Sequence, residues 1–197
     1  IWYGSHPFHH MGMPGTIVVP EEIFVGMLRA VIAGCWNMGF RKQIILNGHG
    51  QEYVIPTAIH QFMKTYQVPA IIINLNWYHA IQDHFKTKEE GGPYETHFIH
   101  ADEVETSVLW YIAPELVDED ILKKEGEWGV VRVIPSRWVN AAGNVFPDKP
   151  FNWYDVSHAP ELYYYPKGFV GWAKLADPEK GKVIVEKVVE RVIEFVN

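Results

Sequence analysis

Ile44-Ile45-Leu46-Asn47-Gly48-His49-Gly50 decides how the chain reads. A β-branched apolar run stops at an amide, and a histidine follows between two glycines. In a chain that alternates strand and helix patterns, such a run is a buried parallel strand. The residues just past it then sit at the carboxyl edge of the sheet, where open α/β folds bind ligands. Gly48 and Gly50 allow a tight turn and close approach of a ligand to the backbone. The spacing alone supports two readings of His49, a site histidine or the polar residue of an ordinary strand-to-helix turn.

Outward from this stretch the α/β pattern continues. Val54, Ile55, Ala58, Ile59, Phe62 and Met63 share one helical face, so strand, histidine and helix form one α/β unit. A second apolar run over residues 70–75 is another buried parallel strand, followed by Asn76, Trp77, Tyr78 and His79. Upstream, Pro20-Glu21-Glu22 starts a helix, with proline at its first position and acids facing the positive end of the dipole. Ile23, Met27, Val31 and Cys35, widened by Phe24, Leu28 and Ile32, predict a core-facing stripe ending near Gly39. Before it lies a Gly- and Pro-rich loop with three histidines. His6 and His9 read as imidazoles bonded to backbone, while for His10 that reading and a site role stay open.

Downstream, residues 86–95 read as a solvated surface with an exposed Gly91-Gly92-Pro93 loop. Val104, Val108, Leu109 and Ile112 mark a helix ending near Ala113-Pro114, and residues 130–134 a further strand. Residues 135–168 lack periodicity and carry Trp138, Trp153, Tyr154, His158 and Tyr163-Tyr164-Tyr165, which suit either stacking on a substrate or an oligomer contact. Val183, Val185, Val188, Val189, Val192, Ile193 and Val196 predict a terminal amphipathic helix.

A length of 197 residues suits one domain with a full core, and 48% apolar with 21% charged residues argues against disorder. The net charge of -7 and the lack of a basic patch argue against nucleic acid or an anionic membrane as partner, leaving a small molecule. Cys35 is the only cysteine, which excludes an intrachain disulfide and reads as core. No apolar run approaches the roughly 20 residues of a membrane span, and no signal-peptide pattern opens the chain. A cytoplasmic location is the resulting expectation.

A second polar constellation is His100-Ala101-Asp102-Glu103-Val104-Glu105-Thr106-Ser107. Three carboxylates and an imidazole at a helix start are costly in a core and useful in a site. On one continuous helix His100 and Glu105 would diverge by about 140°. With Asp102 as N-cap, His100 lies in the preceding loop and has access to Glu105. The same assignment makes Asp102-x-x-Glu105 a capping box, in which Glu105 reaches back to backbone and does no chemistry. Glu103 reads as a solvated charge on the helix face.

Four motifs in register resemble the creatininase family of metal-dependent amidohydrolases. They are Tyr3-Gly4 with His10 and Pro14-Gly15-Thr16; Asn47-Gly48-His49-Gly50; His100-Ala101 with Glu105-Thr106-Ser107; and Gly168-x-x-Gly171 through Glu179-Lys180-Gly181. The resemblance implies a three-layer α/β/α sandwich around a mainly parallel sheet, a dinuclear divalent-metal site with zinc or manganese, and a homo-oligomer, commonly a hexamer. It implies that His49 is a metal ligand, that His100 is the catalytic proton carrier and that Glu105 is its acidic partner. Gly48, Gly50, His10 and Gln51 would surround the substrate.

Two departures stand out. The family's Glu-x-His motif and following Asp have no counterpart before Tyr3. Either this part of the metal site lies upstream of Ile1, which is the expectation, or the loop histidines substitute for it, or the chain binds metal poorly. Creatininase itself carries glutamate two residues after the motif histidine, where this chain has Gln51 followed by Glu52. A neutral amide is a weak ligand for such a cation, which moves the expectation away from creatinine. One branch of the family opens a cyclic ketone from inositol breakdown, 3-dehydro-scyllo-inosose, while cyclic amides are typical of the rest. The functional expectation is metal-assisted hydrolysis of such a ring. The alternative is a non-catalytic binding or scaffold subunit with the same fold and an incomplete metal site.

Overall fold

A computed structural model describes residues 10, 12, 16–49, 53–125, 139–140, 151–152, 168–169 and 171–196. The elements run α1 (Glu21–Asn37), β1 (Lys42–Asn47), α2 (Val54–Tyr66), β2 (Ile71–Asn76), α3 (Trp77–Ala80), α4 (Glu103–Ile112), α5 (Glu119–Glu125), β3 (Val139–Asn140), β4 (Phe151–Asn152) and α6 (Pro178–Val196). The class is α/β, as the sequence predicts. The chain divides into two compact units, Ile1–Trp77 and Tyr78–Asn197. Among the described residues no helix is long and apolar enough to cross a membrane.

In the first unit β1 and β2 pair in parallel, in register from Lys42 opposite Ile71 to Asn47 opposite Asn76. Helix α1 starts where the Pro20 carbonyl accepts the N–H groups of Ile23 and Phe24. It ends where Gly39, at φ +100°, turns the chain left-handed and the N–H groups of residues 38–40 close onto the last carbonyls. Phe24, Val25, Leu28 and Ile32 of α1 form the core with Val54, Ile55, Ala58 and Phe62 of α2. The predicted stripe is corrected here, since Ile23, Met27 and Val31 are exposed and Cys35 is half-buried. Helix α1 is apolar on two faces. The row from Ile23 lies about 100° around the axis from the row Phe24, Leu28, Ile32, and α2 covers the latter.

In the second unit α6 packs on α4 at a point of close backbone approach. A Cβ on Gly181 would lie 2.0 Å from the Ser107 carbonyl oxygen, so glycine is what lets the helices meet there. Residues 86–95 are less solvated than their composition predicts, because Thr87 and Tyr94 are buried. The Thr87 hydroxyl and N–H both engage the Glu90 carboxylate, and the Tyr94 ring meets His84 edge-on. The strand predicted at 130–134 and most of the irregular stretch 135–168 lie outside the described residues.

Candidate functional site

Both strands of the first unit end in a buried asparagine. Asn47 and Asn76 are register partners at the last position of β1 and β2. The Asn47 Nδ2 donates to the Asn76 Oδ1 at 2.7 Å and to the His49 carbonyl at 2.5 Å, while the His49 N–H donates to the Asn47 Oδ1 at 3.3 Å. The amide of Asn47 therefore clamps the His49 backbone at two points. His49 follows the strand end directly, as expected, and its ring meets His10 edge-on, with centroids 5.1 Å apart at 84°. Gly48 faces open space, with nothing within 4 Å of an added Cβ. Gly50, Gln51 and Glu52 lie outside the described residues.

Imidazole is by its chemistry a donor for divalent cations. Ring centroids 5.1 Å apart at 84° are the ordinary packing of an edge-on ring pair. Nitrogen donors fit zinc, and manganese needs added carboxylates. Among the described residues no group of three or more His, Cys, Asp or Glu converges to form a full ligand shell. His10 and His49 are the two imidazoles in contact at this strand end.

In the second unit Asp102 caps α4 as the sequence predicts, while the second arm of the expected capping box is corrected, since Glu105 bonds the Ala101 N–H and not that of the N-cap. Asp102 is the N-cap, and its carboxylate accepts the N–H groups of Val104 at 2.8 Å, Glu105 at 3.0 Å and Ile99. Glu105 reaches back one residue beyond the N-cap and accepts the Ala101 N–H at 2.6 Å. The Thr106 hydroxyl donates to the Ala101 carbonyl at 3.1 Å. These contacts hold Ala101 at φ +42°, a left-handed conformation that disfavours a Cβ. His100, half-buried, sits in the loop they clamp. Glu105 thus binds the backbone one residue after His100. Burial pushes the Asp102 carboxyl up to about 7, with the Glu105 charge adding to the rise and the three N–H donors opposing it.

Glu103 is corrected from a solvated charge to a buried one, at 1% exposure. One carboxylate oxygen takes the Lys180 ammonium at 2.5 Å and the other accepts the Glu95 N–H at 2.9 Å. Lys180 also donates to the Leu175 carbonyl at 3.0 Å. This pair accounts for Lys180 in the sequence motif, and the approach to Ser107 accounts for Gly181. Gly171, at φ +110°, packs a Cβ position 3.0 Å from the Asp102 Cβ. Residue-level reading missed the pairing of Asn47 with Asn76, although both apolar runs visibly end in asparagine.

The family model described as creatinine amidohydrolase (creatininase) matches residues 1–196. A 3-dehydro-scyllo-inosose hydrolase of Thermotoga maritima is 57% identical over 196 residues, covering 96% of this chain and 60% of that protein. The chain thus spans less than two thirds of the length of this curated relative. Among solved structures, a crystal structure of creatinine amidohydrolase (creatininase) superposes with a TM-score of 0.73 at 19% identity, covering 98% of this chain and 71% of the other. A structure described as creatininase Mn gives 0.66 at 22% identity, covering 98% and 72%. At these identities the structural likeness establishes the fold alone. With the family match running the length of the chain and the α/β architecture in agreement, this protein belongs to the creatininase family.

Proposed function

We propose that the protein is a divalent-metal-dependent hydrolase that opens a small cyclic ketone of the 3-dehydro-scyllo-inosose type. The observation that carries this reading is the imidazole pair of His49 and His10 at the carboxyl edge of β1. The 57% identity to a hydrolase named for that ketone supports the substrate class. His49 would hold the metal, zinc or manganese, and His10, in ring contact with it, would contact the substrate bound there. Gly48, Gly50 and Gln51 belong to the same proposed substrate surround. When bound, a divalent metal supplies Lewis acidity, lowering the pKa of the water it holds to about 7 and polarising a carbonyl.

His100 would deliver a proton to the leaving atom. In ring opening of a cyclic diketone, water adds its hydroxyl to one carbonyl carbon, the adjacent carbon–carbon bond breaks, and the departing carbon takes the proton. Imidazole suits this task because its ordinary pKa lies near working pH. Glu105 keeps the His100 loop in place through the Ala101 N–H. A dinuclear centre, a single creatininase-like domain, a homo-oligomer, hexameric as the family resemblance implies, and a cytoplasmic location belong to the same proposal.

The test is a substrate screen on the purified protein with zinc or manganese added, comparing cyclic ketones with cyclic amides. Turnover of the ketones with little or none of creatinine is the expected result. Metal-dependent turnover of a cyclic amide alone would overturn the substrate class, and hydrolysis of neither would favour a binding subunit.

A further inference from the structure

We propose that Asn76 is a positioning residue for His49. The inference rests on the metal-binding role of His49 proposed above, and it concerns the contact of Asn76 with Asn47 across the strand pair. Asn76 closes β2 and Asn47 closes β1, in register and both buried. The Asn47 side chain decides where the His49 backbone goes, since Nδ2 donates to the His49 carbonyl and Oδ1 accepts its N–H. That clamp works in one orientation of the amide only. A flipped Asn47 would set oxygen against the His49 carbonyl and nitrogen against its N–H.

Asn76 selects the orientation. Its Oδ1 accepts from Asn47 Nδ2 at 2.7 Å, so a flip would also set oxygen against oxygen at this second contact. In a buried setting such a mismatch leaves polar groups unsatisfied, which is costly. An asparagine on one strand thus fixes the turn that carries the ligand histidine on its neighbour. Groups that orient a ligand in this way commonly change metal affinity or activity by 10–100-fold when removed.

The experiment compares Asn76→Leu, Asn76→Asp and a packing control, Ile73→Val, on the same strand. Two readouts are taken on purified protein: zinc affinity by competition with a chelator, and hydrogen exchange of the Gly48 and His49 amides without metal. Asn76→Leu is expected to weaken zinc about 10–100-fold and to speed exchange at these amides. Asn76→Asp, which keeps the acceptor, is expected to recover most of both, and Ile73→Val to leave both unchanged. Should Asn76→Leu fail to fold, the shorter Asn76→Ser, unable to span to Asn47, replaces it with the same expected outcome. Unchanged exchange in a folded variant overturns the inference. A wild-type protein that binds no zinc or manganese overturns the metal reading instead, and the exchange of Gly48 and His49 still decides whether Asn76 orders the turn.

Discussion

The Lys180 ammonium meets the buried Glu103 carboxylate at 2.5 Å across 77 positions of sequence. The pair ties the first turn of α6 to the first turn of α4, one residue from the Asp102 N-cap. Lys180→Met would leave that carboxylate buried without its cation. Breaking a buried pair costs about 3–5 kcal/mol, and the one-third exposure of the lysine places this one near the lower end. Chemical denaturation is expected to show a loss of about 3 kcal/mol. A loss below about 1 kcal/mol would assign the pair no structural weight.

Gly181→Ala inverts an ordinary expectation. Alanine in a helix interior is normally about 1 kcal/mol better than glycine. Here its Cβ would meet the Ser107 carbonyl oxygen at 2.0 Å, and backbone must move. Overpacking of this kind is expected to destabilise by about 3 kcal/mol. A thermal melt at or above the wild-type temperature would contradict the close approach.

Asp102 gives a pH signature. An acid with a higher pKa folded than unfolded binds more protons when folded, so stability falls as pH rises from its ordinary value of 3.8 through about 7 and levels above it. Asp102→Asn stays neutral and still offers Oδ1 to the Val104 and Glu105 N–H groups. Urea unfolding across this range is expected to show a shallower decline in the variant than in wild type. Equal slopes would remove Asp102 as the source.

Particular elements mark what sequence could and could not reveal. The strands and their ends were legible, since β1 and β2 end at Asn47 and Asn76, within a residue of expectation. The expected burial is corrected: Ile44, Leu46 and Ile71 are exposed, because α1 and α2 cover the pair only in part. Asp102 as N-cap follows from local chemistry, since capping depends on residues within one turn. The burial of Glu103 does not, because its partner lies on a distant helix. Helix α1 shows the other limit. Periodicity reveals that Ile23, Met27 and Val31 share a face, and only the placement of α2 reveals that the neighbouring face of Phe24, Leu28 and Ile32 is the covered one. At the site, His49 and His10 were visible as residue types, while the clamp by Asn47 and Asn76 depends on strand register.

His100→Ala tests proton delivery separately from metal. Metal content is expected to match wild type, while turnover falls by about 10²–10⁴-fold, the usual contribution of a general acid or base. Unchanged turnover of a ketone substrate would remove His100 from the reaction.

The most direct test of the central claim is elemental analysis of the purified protein beside His49→Ala. The wild-type protein is expected to retain about one or more equivalents of zinc, manganese or another divalent metal. The variant is expected to lose most of it while its melting temperature in chelator stays close to that of wild type under the same conditions. Equal metal stoichiometry in the two proteins would contradict the assignment of His49 as a ligand.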